Sequence, residues 1–153
     1  MTRFVAAGGG FLVAVLWFDL MFDVQVLRHR GRDGPLPEDV LASIAGYYRR
    51  VTTAARPMNR LIATVMVATL AAIVAQIAGG DAPGWVGWAS LALAGAAIGL
   101  AAAHTVPAAV RLGARGGAAG EQSRLARSIC RDHLLCLAAI ASLVIIELAF
   151  GPP

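Results

Sequence analysis

The chain has 153 residues, of which 58% are hydrophobic and 14% are charged, and its mean hydropathy is +0.70. A soluble domain of this length could not bury so much apolar surface, so the composition excludes a soluble globular protein and predicts an integral membrane protein. The net charge is +4 and the pI about 10.0. Because the basic residues cluster beside apolar runs, they indicate membrane topology and give no support to nucleic-acid binding.

Four apolar runs long enough to cross a bilayer follow one another along the chain. The first begins at Phe4 and lacks a small-residue cleavage site, so we expect a retained span and no signal peptide. The six residues 79–84 join the second and third runs as a tight hairpin between antiparallel helices. The sequence therefore predicts one all-α membrane domain over residues 1–153, an antiparallel bundle of four transmembrane helices. The expected spans are residues 4–26, 58–78, 85–110 and 130–150.

The loop after the first span contains one further predicted helix, over about residues 38–51. It starts with prolines and the acids Glu38 and Asp39, which suit a helix N-terminus. We interpret this segment as an amphipathic helix on the cytoplasmic face that shields the mouth of the bundle. The alternative is a lid over a pocket that opens to the cytoplasm. The apolar positions that recur at helical spacing are Val40, Ile44, Tyr47 and Val51.

The arginines predict the orientation of the bundle. All 13 basic residues are arginines, and 12 of them lie in residues 28–60 and 111–131, whereas residues 79–84 contain none. Loops rich in arginine stay on the cytoplasmic side. We therefore expect a multi-pass protein of the cytoplasmic (inner) membrane with both termini outside, and only Arg3 opposes this assignment.

The third span carries a stripe of small residues that includes Ala92, Gly95, Gly99 and Ala103. Glycines four residues apart allow close approach of another helix. We expect this stripe to pack inside the bundle, and the alternative is that Gly95 and Gly99 contact a second copy or another membrane partner.

Polar residues of all four spans fall at one depth, in the cytoplasmic leaflet. A charge in hydrocarbon is costly, so such residues are usually paired or turned inward, and together they predict a cavity open to the cytoplasm. Two other polar residues, Gln76 and Glu147, lie toward the outer ends of their spans, where we expect them at the membrane interface. The residues of the predicted layer are Asp19, Asp23, Asn59, Arg60, His104, Asp132 and His133.

Three interpretations of this layer remain open. In the structural one, the aspartates pair with Arg56, Arg60 or Arg131, and His104 bonds a backbone carbonyl. In the second, Asp19, Asp23, His104, Asp132 and His133 bind a metal ion, although no HExxH or ExxH spacing is present. In the third, the layer binds a lipophilic substrate, with an Asp or His as general base and Arg60 or Arg111 as an electrostatic partner.

Several short motifs resemble those of one known family. Arg56-Pro57-Met58-Asn59-Arg60 precedes the second span, His104-Thr105-Val106-Pro107 and Arg111 end the third, and Arg131-Asp132-His133 opens the fourth. In this order they resemble the anthrone-oxygenase-like family of small four-helix bacterial membrane proteins. The chain departs from that family at Ala108 and Ala109, where a second asparagine is typical. The resemblance implies oxygen-dependent oxidation of a polycyclic phenolic substrate without an obvious cofactor, and emphasises Asn59, His104, Arg111 and His133.

Taken together, these patterns suggest a small oxidoreductase, monooxygenase-like, that acts on a lipophilic small molecule from the bilayer. The alternative is a non-catalytic membrane subunit whose Asp–Arg pairs only stabilise the bundle. The cofactor, the metal content and the oligomeric state stay open. The expected catalytic residues are His104, Asp19 and His133, and the expected substrate-binding residues are Asp23, Asn59, Arg60, Arg111 and Asp132.

Overall fold

The computed structural model of the protein describes residues 1–29, 31, 34–54, 56–80 and 82–152. The prediction of an all-α chain is confirmed, since the described residues form helices joined by short turns and contain no β-strand. The helices are α1 (Thr2–Leu27), α2 (Glu38–Arg49), α3 (Arg56–Gly79), α4 (Gly84–Leu100), α5 (Val106–Gly113) and α6 (Ala119–Phe150).

Four helical segments are long and apolar enough to cross a membrane: Thr2–Leu27, Pro57–Gly79, Gly84–Gly113 and Ala119–Phe150. The chain is therefore a multi-pass membrane protein by the length and composition of its helices. The fourth segment begins well before residue 130, where the apolar run begins. Hydropathy marks only the part of a helix that suits hydrocarbon, whereas α6 continues into the arginine-rich region and buries Ala126 and Ile129 against α2 and α5.

Two five-residue π-helical turns interrupt the regular helices, at Arg50–Ala54 and Ala101–Thr105. Each lies just before a proline, Pro57 or Pro107. A proline inside a helix removes one hydrogen bond and crowds the carbonyl four residues earlier, and the wider π turn relieves that crowding. The third span is consequently continuous but changes its register at residues 101–105, which changes the faces presented by His104 and Thr105.

Each of the four long segments packs against two of the others. Helix α1 contacts α3 and α6, and α4 also contacts α3 and α6. One end, which we call the terminal end, contains both chain termini and the turn between α3 and α4, since Trp85 packs on Phe150. The opposite end, the basic end, contains α2 and the arginine-rich loops. Between them lies an apolar core of Leu12, Ala97, Cys136 and Ile140.

Helix α2 covers the basic end and packs on α5, α1 and α6. Of the predicted apolar face, Ile44 is fully buried, and Val40, Tyr47 and Val51 are partly buried and pack against the same core. Because α2 packs on other helices, it buries the side chains that fit them. The buried residues of α2 are Leu41, Ile44, Ala45 and Tyr48.

A close helix crossing and two polar contacts fix α2 in place. A Cβ atom on Gly113 of α5 would lie 2.9 Å from the backbone nitrogen of Arg49, so only glycine allows this approach. The backbone N–H of Leu36 donates to Ser123 Oγ of α6 at 2.8 Å. An ion pair joins Arg115 to the Glu38 carboxylate at the start of α2. These contacts set the height and rotation of α2 above the long helices.

The small-residue stripe of the third span faces outward. Gly95 and Gly99 are exposed, and a Cβ atom added to either would meet nothing within 4 Å. The expected packing of this stripe inside the chain is therefore wrong. Contact with a second copy or a membrane partner stays a prediction.

Candidate acid–base site

Two carboxylates of α1 meet two tyrosines of α2 at the basic end. Asp19 and Asp23 are one helical turn apart, so their side chains share a face of α1. The Tyr47 hydroxyl donates to Asp19 Oδ1 at 2.6 Å, and the Tyr48 hydroxyl donates to Asp23 Oδ1 at 2.7 Å. Adjacent residues of α2 thus reach successive turns of α1.

The imidazole of His133 on α6 lies between the same two carboxylates. Its Nδ1 atom is 2.7 Å from Asp23 Oδ2, and its Nε2 atom is 3.8 Å from Asp19 Oδ2. Because an ionised carboxylate only accepts hydrogen bonds, a protonated Nδ1 donates a hydrogen bond to Asp23 Oδ2. We call the five residues Asp19, Asp23, Tyr47, Tyr48 and His133 the closed cluster.

Three members of the closed cluster are buried, and Asp19 and Tyr47 are partly buried. Asp23 is fully buried, and Tyr48 and His133 are 2% and 7% exposed. Burial, with the nearby Asp carboxylates, raises the pKa of both tyrosine hydroxyls far above the ordinary value for tyrosine. The hydroxyls therefore remain protonated donors, and they solvate the carboxylates in place of water.

A second histidine and aspartate form a separate pair, which we call the open dyad. His104 Nδ1, in the π turn of the third span, is 2.5 Å from Asp132 Oδ2 on α6. The Asp132 side chain is 1% exposed, and it also accepts from Thr105 Oγ1 at 3.3 Å and from an Arg131 guanidinium N–H at 3.4 Å. The carboxylate is thus fixed by three groups.

The imidazole of the open dyad is accessible. The His104 side chain is 49% exposed, and its neighbours Ala103 and Val106 are exposed apolar residues. In the tautomer in which Nδ1 donates to Asp132, the Nε2 atom is an acceptor. A carboxylate that orients one nitrogen of an imidazole and leaves the other able to accept a proton is the arrangement of a general base.

The other three expected site residues lie outside both groups. The Asn59 amide donates to the Thr52 carbonyl at 2.9 Å, where it stabilises the π turn before α3. Arg111 pairs with Glu121 at the surface, and Arg60 is exposed. Of the eight predicted residues, the structure brings together Asp19, Asp23 and His133 in one group and His104 and Asp132 in another.

Among the described side chains, the two carboxylates of α1 bond no arginine. Asp19 and Asp23 bond tyrosines and His133, and of these three aspartates only Asp132 has a described arginine partner, Arg131. His104 bonds a carboxylate, where a backbone carbonyl was expected. The side chain of Arg56 lies outside the described residues.

In the described part of the chain, the two histidine–aspartate groups form no metal-binding cluster, and two surface grooves lie elsewhere. Within it, no set of three or more His, Cys, Asp and Glu side chains is arranged to hold a metal ion. One groove lies between α1 and α3 beside Gly8 and Thr69, and another lies at the basic end beside Arg49 and Arg115. Neither of these two grooves is lined by a residue of the closed cluster or the open dyad.

The expected position of Gln76 and Glu147 at the membrane interface is wrong. Glu147 is fully buried, and Gln76 is 1% exposed. Ser90 Oγ donates to Glu147 Oε1 at 2.6 Å, and Gln76 Nε2 lies 3.1 Å and 3.3 Å from the two carboxylate oxygens. The helix ends pack on one another, so a residue near the end of a span need not face the headgroups.

The functional residues that sequence reasoning missed are Tyr47 and Tyr48. The helical spacing indicates Tyr47 only as part of an apolar face, and it gives no role to Tyr48. The sequence feature that could have indicated them is two adjacent tyrosines in a predicted helix that follows a span with two aspartates. A buried tyrosine hydroxyl needs a hydrogen-bond partner, and the aspartates could supply it.

Searches of protein-family models, curated proteins and solved structures with this chain found no match. Function must therefore be inferred from the geometry of the two groups.

Proposed function

We propose that the chain is an antiparallel four-helix bundle of the cytoplasmic membrane with its basic end in the cytoplasm. The distribution of 12 of the 13 arginines supports this orientation. In that orientation both histidine–aspartate groups lie in the cytoplasmic leaflet, and α2 is the amphipathic helix that covers the bundle there.

We further propose that the protein is a small membrane acid–base enzyme of oxidoreductase type, with the open dyad as its reactive site. The observation that carries this proposal is the half-exposed imidazole of His104 held by the buried carboxylate of Asp132. Because the exposed neighbours of His104 are apolar, the substrate is a lipophilic molecule that reaches the ring from the bilayer.

The proposed reaction starts with proton transfer. His104 Nε2 removes a proton from an acidic C–H or phenolic O–H of the substrate, and Asp132 stabilises the imidazolium that forms. The substrate anion then reacts with molecular oxygen. When the reacting group is a benzylic methylene, both of its C–H bonds break, one oxygen atom becomes the ketone oxygen, and the other leaves with the two hydrogens as water. The substrate supplies all the electrons that reduce the oxygen, so no further reductant is required.

Asp19, Asp23 and His133 have a positioning role in this proposal. The closed cluster joins α1, α2 and α6 through hydrogen bonds, and His133 is adjacent to Asp132 on α6. His133 is buried between two carboxylates and does not face a surface from which a substrate arrives. Away from the cluster, Asn59 stabilises the start of α3. The two exposed arginines, Arg60 and Arg111, interact with lipid headgroups.

The test uses the protein in liposomes with a hydroxylated anthrone as the probe. Oxygen uptake and quinone absorbance are measured for the wild type, His104→Gln and Asp132→Asn. We expect both variants to lose about 100-fold in rate, because each removes the oriented base. Asp39→Asn, at the exposed start of α2, is the control and should keep the wild-type rate.

Equal rates in His104→Gln and the wild type would disprove the role of the dyad. A wild-type protein that consumes no oxygen with this probe would disprove the oxidoreductase assignment. In either outcome the second candidate, a non-catalytic membrane subunit, becomes the better description.

The exposed stripe at Gly95 and Gly99 favours that second candidate, because small residues on an open face allow another helix to approach closely. Substitution Gly99→Leu should then release a protein that co-purifies with the wild type, while the isolated chain keeps its thermal stability. Retention of the same co-purifying protein by Gly99→Leu would count against a subunit that docks through this face.

A further inference from the structure

The terminal end contains an ionisable group that the proposed reaction does not use. Glu147 of α6 is fully buried, and its carboxylate accepts hydrogen bonds from Ser90 of α4 and Gln76 of α3. Three helices therefore converge on one carboxylate. Glu147 lies about one helical turn before the end of α6 at Phe150.

No cationic side chain among the described residues bonds this carboxyl group. The groups that bond it, a hydroxyl and an amide, are neutral, and no described arginine or histidine pairs with it. An unpaired charge away from water is strongly unfavourable, so a buried carboxylate normally has a cationic partner. The described side chains supply no such partner at this site.

A second observation points to a ligand at the same place. Gln76 is 1% exposed and its Nε2 atom donates to Glu147, whereas its Oε1 atom is buried with no hydrogen-bond partner among the described residues. Buried polar oxygens without partners are rare and call for an explanation such as a bound ion.

We infer that Glu147, Gln76 and Ser90 form a binding site for one small monovalent cation of the sodium type. A half-turn of the Gln76 amide, whose oxygen and nitrogen are similar in shape, would direct Oε1 to the ion. Carboxylate, amide and hydroxyl oxygens are the ligands that hard cations prefer. A single carboxylate balances one positive charge, which favours a monovalent ion, and full burial of the site admits only a ligand of atomic size.

The site is separate from the open dyad. Asp132 of the open dyad and Glu147 are 15 positions apart on α6, which is about 22 Å along the helix axis. The apolar core of Leu12, Ala97, Cys136 and Ile140 lies between the two ends of the bundle. Cation binding at the terminal end therefore does not depend on the proposed acid–base reaction, and either proposal can fail alone.

Thermal unfolding in detergent tests this inference with sodium chloride against choline chloride at equal ionic strength. An ion that binds only the folded chain raises the melting temperature, and we expect sodium to raise it by about 5 °C at saturation. Glu147→Gln removes the charge with little change of shape and should abolish the sodium-dependent increment. Glu121→Gln, a carboxylate at the basic end, is the matched control and should keep it.

A second measurement on the wild-type chain covers the case in which Glu147→Gln does not fold. A hydrophobic carbodiimide modifies carboxyl groups in nonpolar surroundings, and mass spectrometry of the peptide that contains Glu147 quantifies the product. Sodium should protect Glu147 from this reagent, and choline should not. Identical melting temperatures in the two salts, or modification of Glu147 that sodium does not slow, would overturn the inference and leave a carboxyl group that binds only a proton.

Discussion

The same pair of residue types, a histidine and an aspartate, occurs twice at the basic end in opposite surroundings. In the closed cluster, His133 is 7% exposed and both of its ring nitrogens face carboxylates. In the open dyad, only Nδ1 of His104 faces a carboxylate, and 49% of the side chain is exposed. The comparison shows one histidine–aspartate pair with both partners enclosed and another with one ring nitrogen accessible, which is why we propose the acid–base role for the second pair alone.

The difference between the two groups comes from the helices that surround them. Helix α2 lies over the closed cluster and inserts the hydroxyls of Tyr47 and Tyr48, which complete the hydrogen bonds of the carboxylates. The open dyad instead uses the π turn before Pro107, where His104 stays on the outer face and Thr105 turns inward to the same carboxylate. One group is closed by an added helix, and the other is kept open by a local distortion.

We expect the largest change in the free energy of unfolding for His133→Ala. Loss of the imidazole leaves two carboxylates in an enclosed site without a cation, which should lower the free energy of unfolding by about 3–5 kcal/mol. His104→Ala, the matched variant in the open dyad, should cost only about 1 kcal/mol because solvent and Arg131 still reach that site. Denaturant unfolding in micelles measures both losses, and equal losses would contradict the distinction between the groups.

The next effect concerns the two tyrosines of the closed cluster. Tyr48→Phe removes a buried donor from the fully buried Asp23 and should cost about 1.5–3 kcal/mol, the range for hydrogen bonds to charged groups. Tyr47→Phe removes the donor of Asp19, which retains partial access to solvent, and should cost about 1 kcal/mol. The unfolding free energies of the two single variants check this order, and a larger loss for Tyr47→Phe would refute it.

A smaller effect than that of Tyr48→Phe is expected at the crossing of α2 and α5. Gly113→Ala places a Cβ atom 2.9 Å from the Arg49 backbone nitrogen, so α2 must move and its tyrosines must shift. We expect this overpacking to cost about 1–2 kcal/mol. Gly46→Ala on the exposed side of α2 meets nothing within 4 Å, and it should stabilise the chain by about 0.5–1 kcal/mol. Unfolding of both variants tests the crossing, and a neutral Gly113→Ala would show that α2 is held elsewhere.

The four spans could be predicted because hydrophobic length is a property of consecutive residues. Their bounds were less accurate at the basic end, where α6 extends to Ala119 as a partly buried helix outside the most apolar stretch. Side-chain partners could not be predicted in the same way. Depth along a span limits which residues are level with one another, but the rotation of each helix decides which of them meet.

Particular residues illustrate this limit. The sequence placed Asp19, Asp23 and His133 at one depth, and the structure brings them together. Depth alone also included Asn59, which belongs to the start of α3 and faces elsewhere. Conversely, the position of Glu147 near a helix end suggested the interface, whereas packing of α3 and α4 encloses it.

By itself, the sequence determined that this is an α-helical membrane protein with four spans and one arginine-rich end. Hydrophobicity and charge follow directly from the types of consecutive residues. Only the tertiary structure decided which carboxylate each histidine meets, which tyrosines complete the closed cluster, and that Glu147 is enclosed. These outcomes depend on the rotation and crossing of helices far apart in sequence, such as the approach of α2 to α5 at Gly113, and no local pattern encodes them.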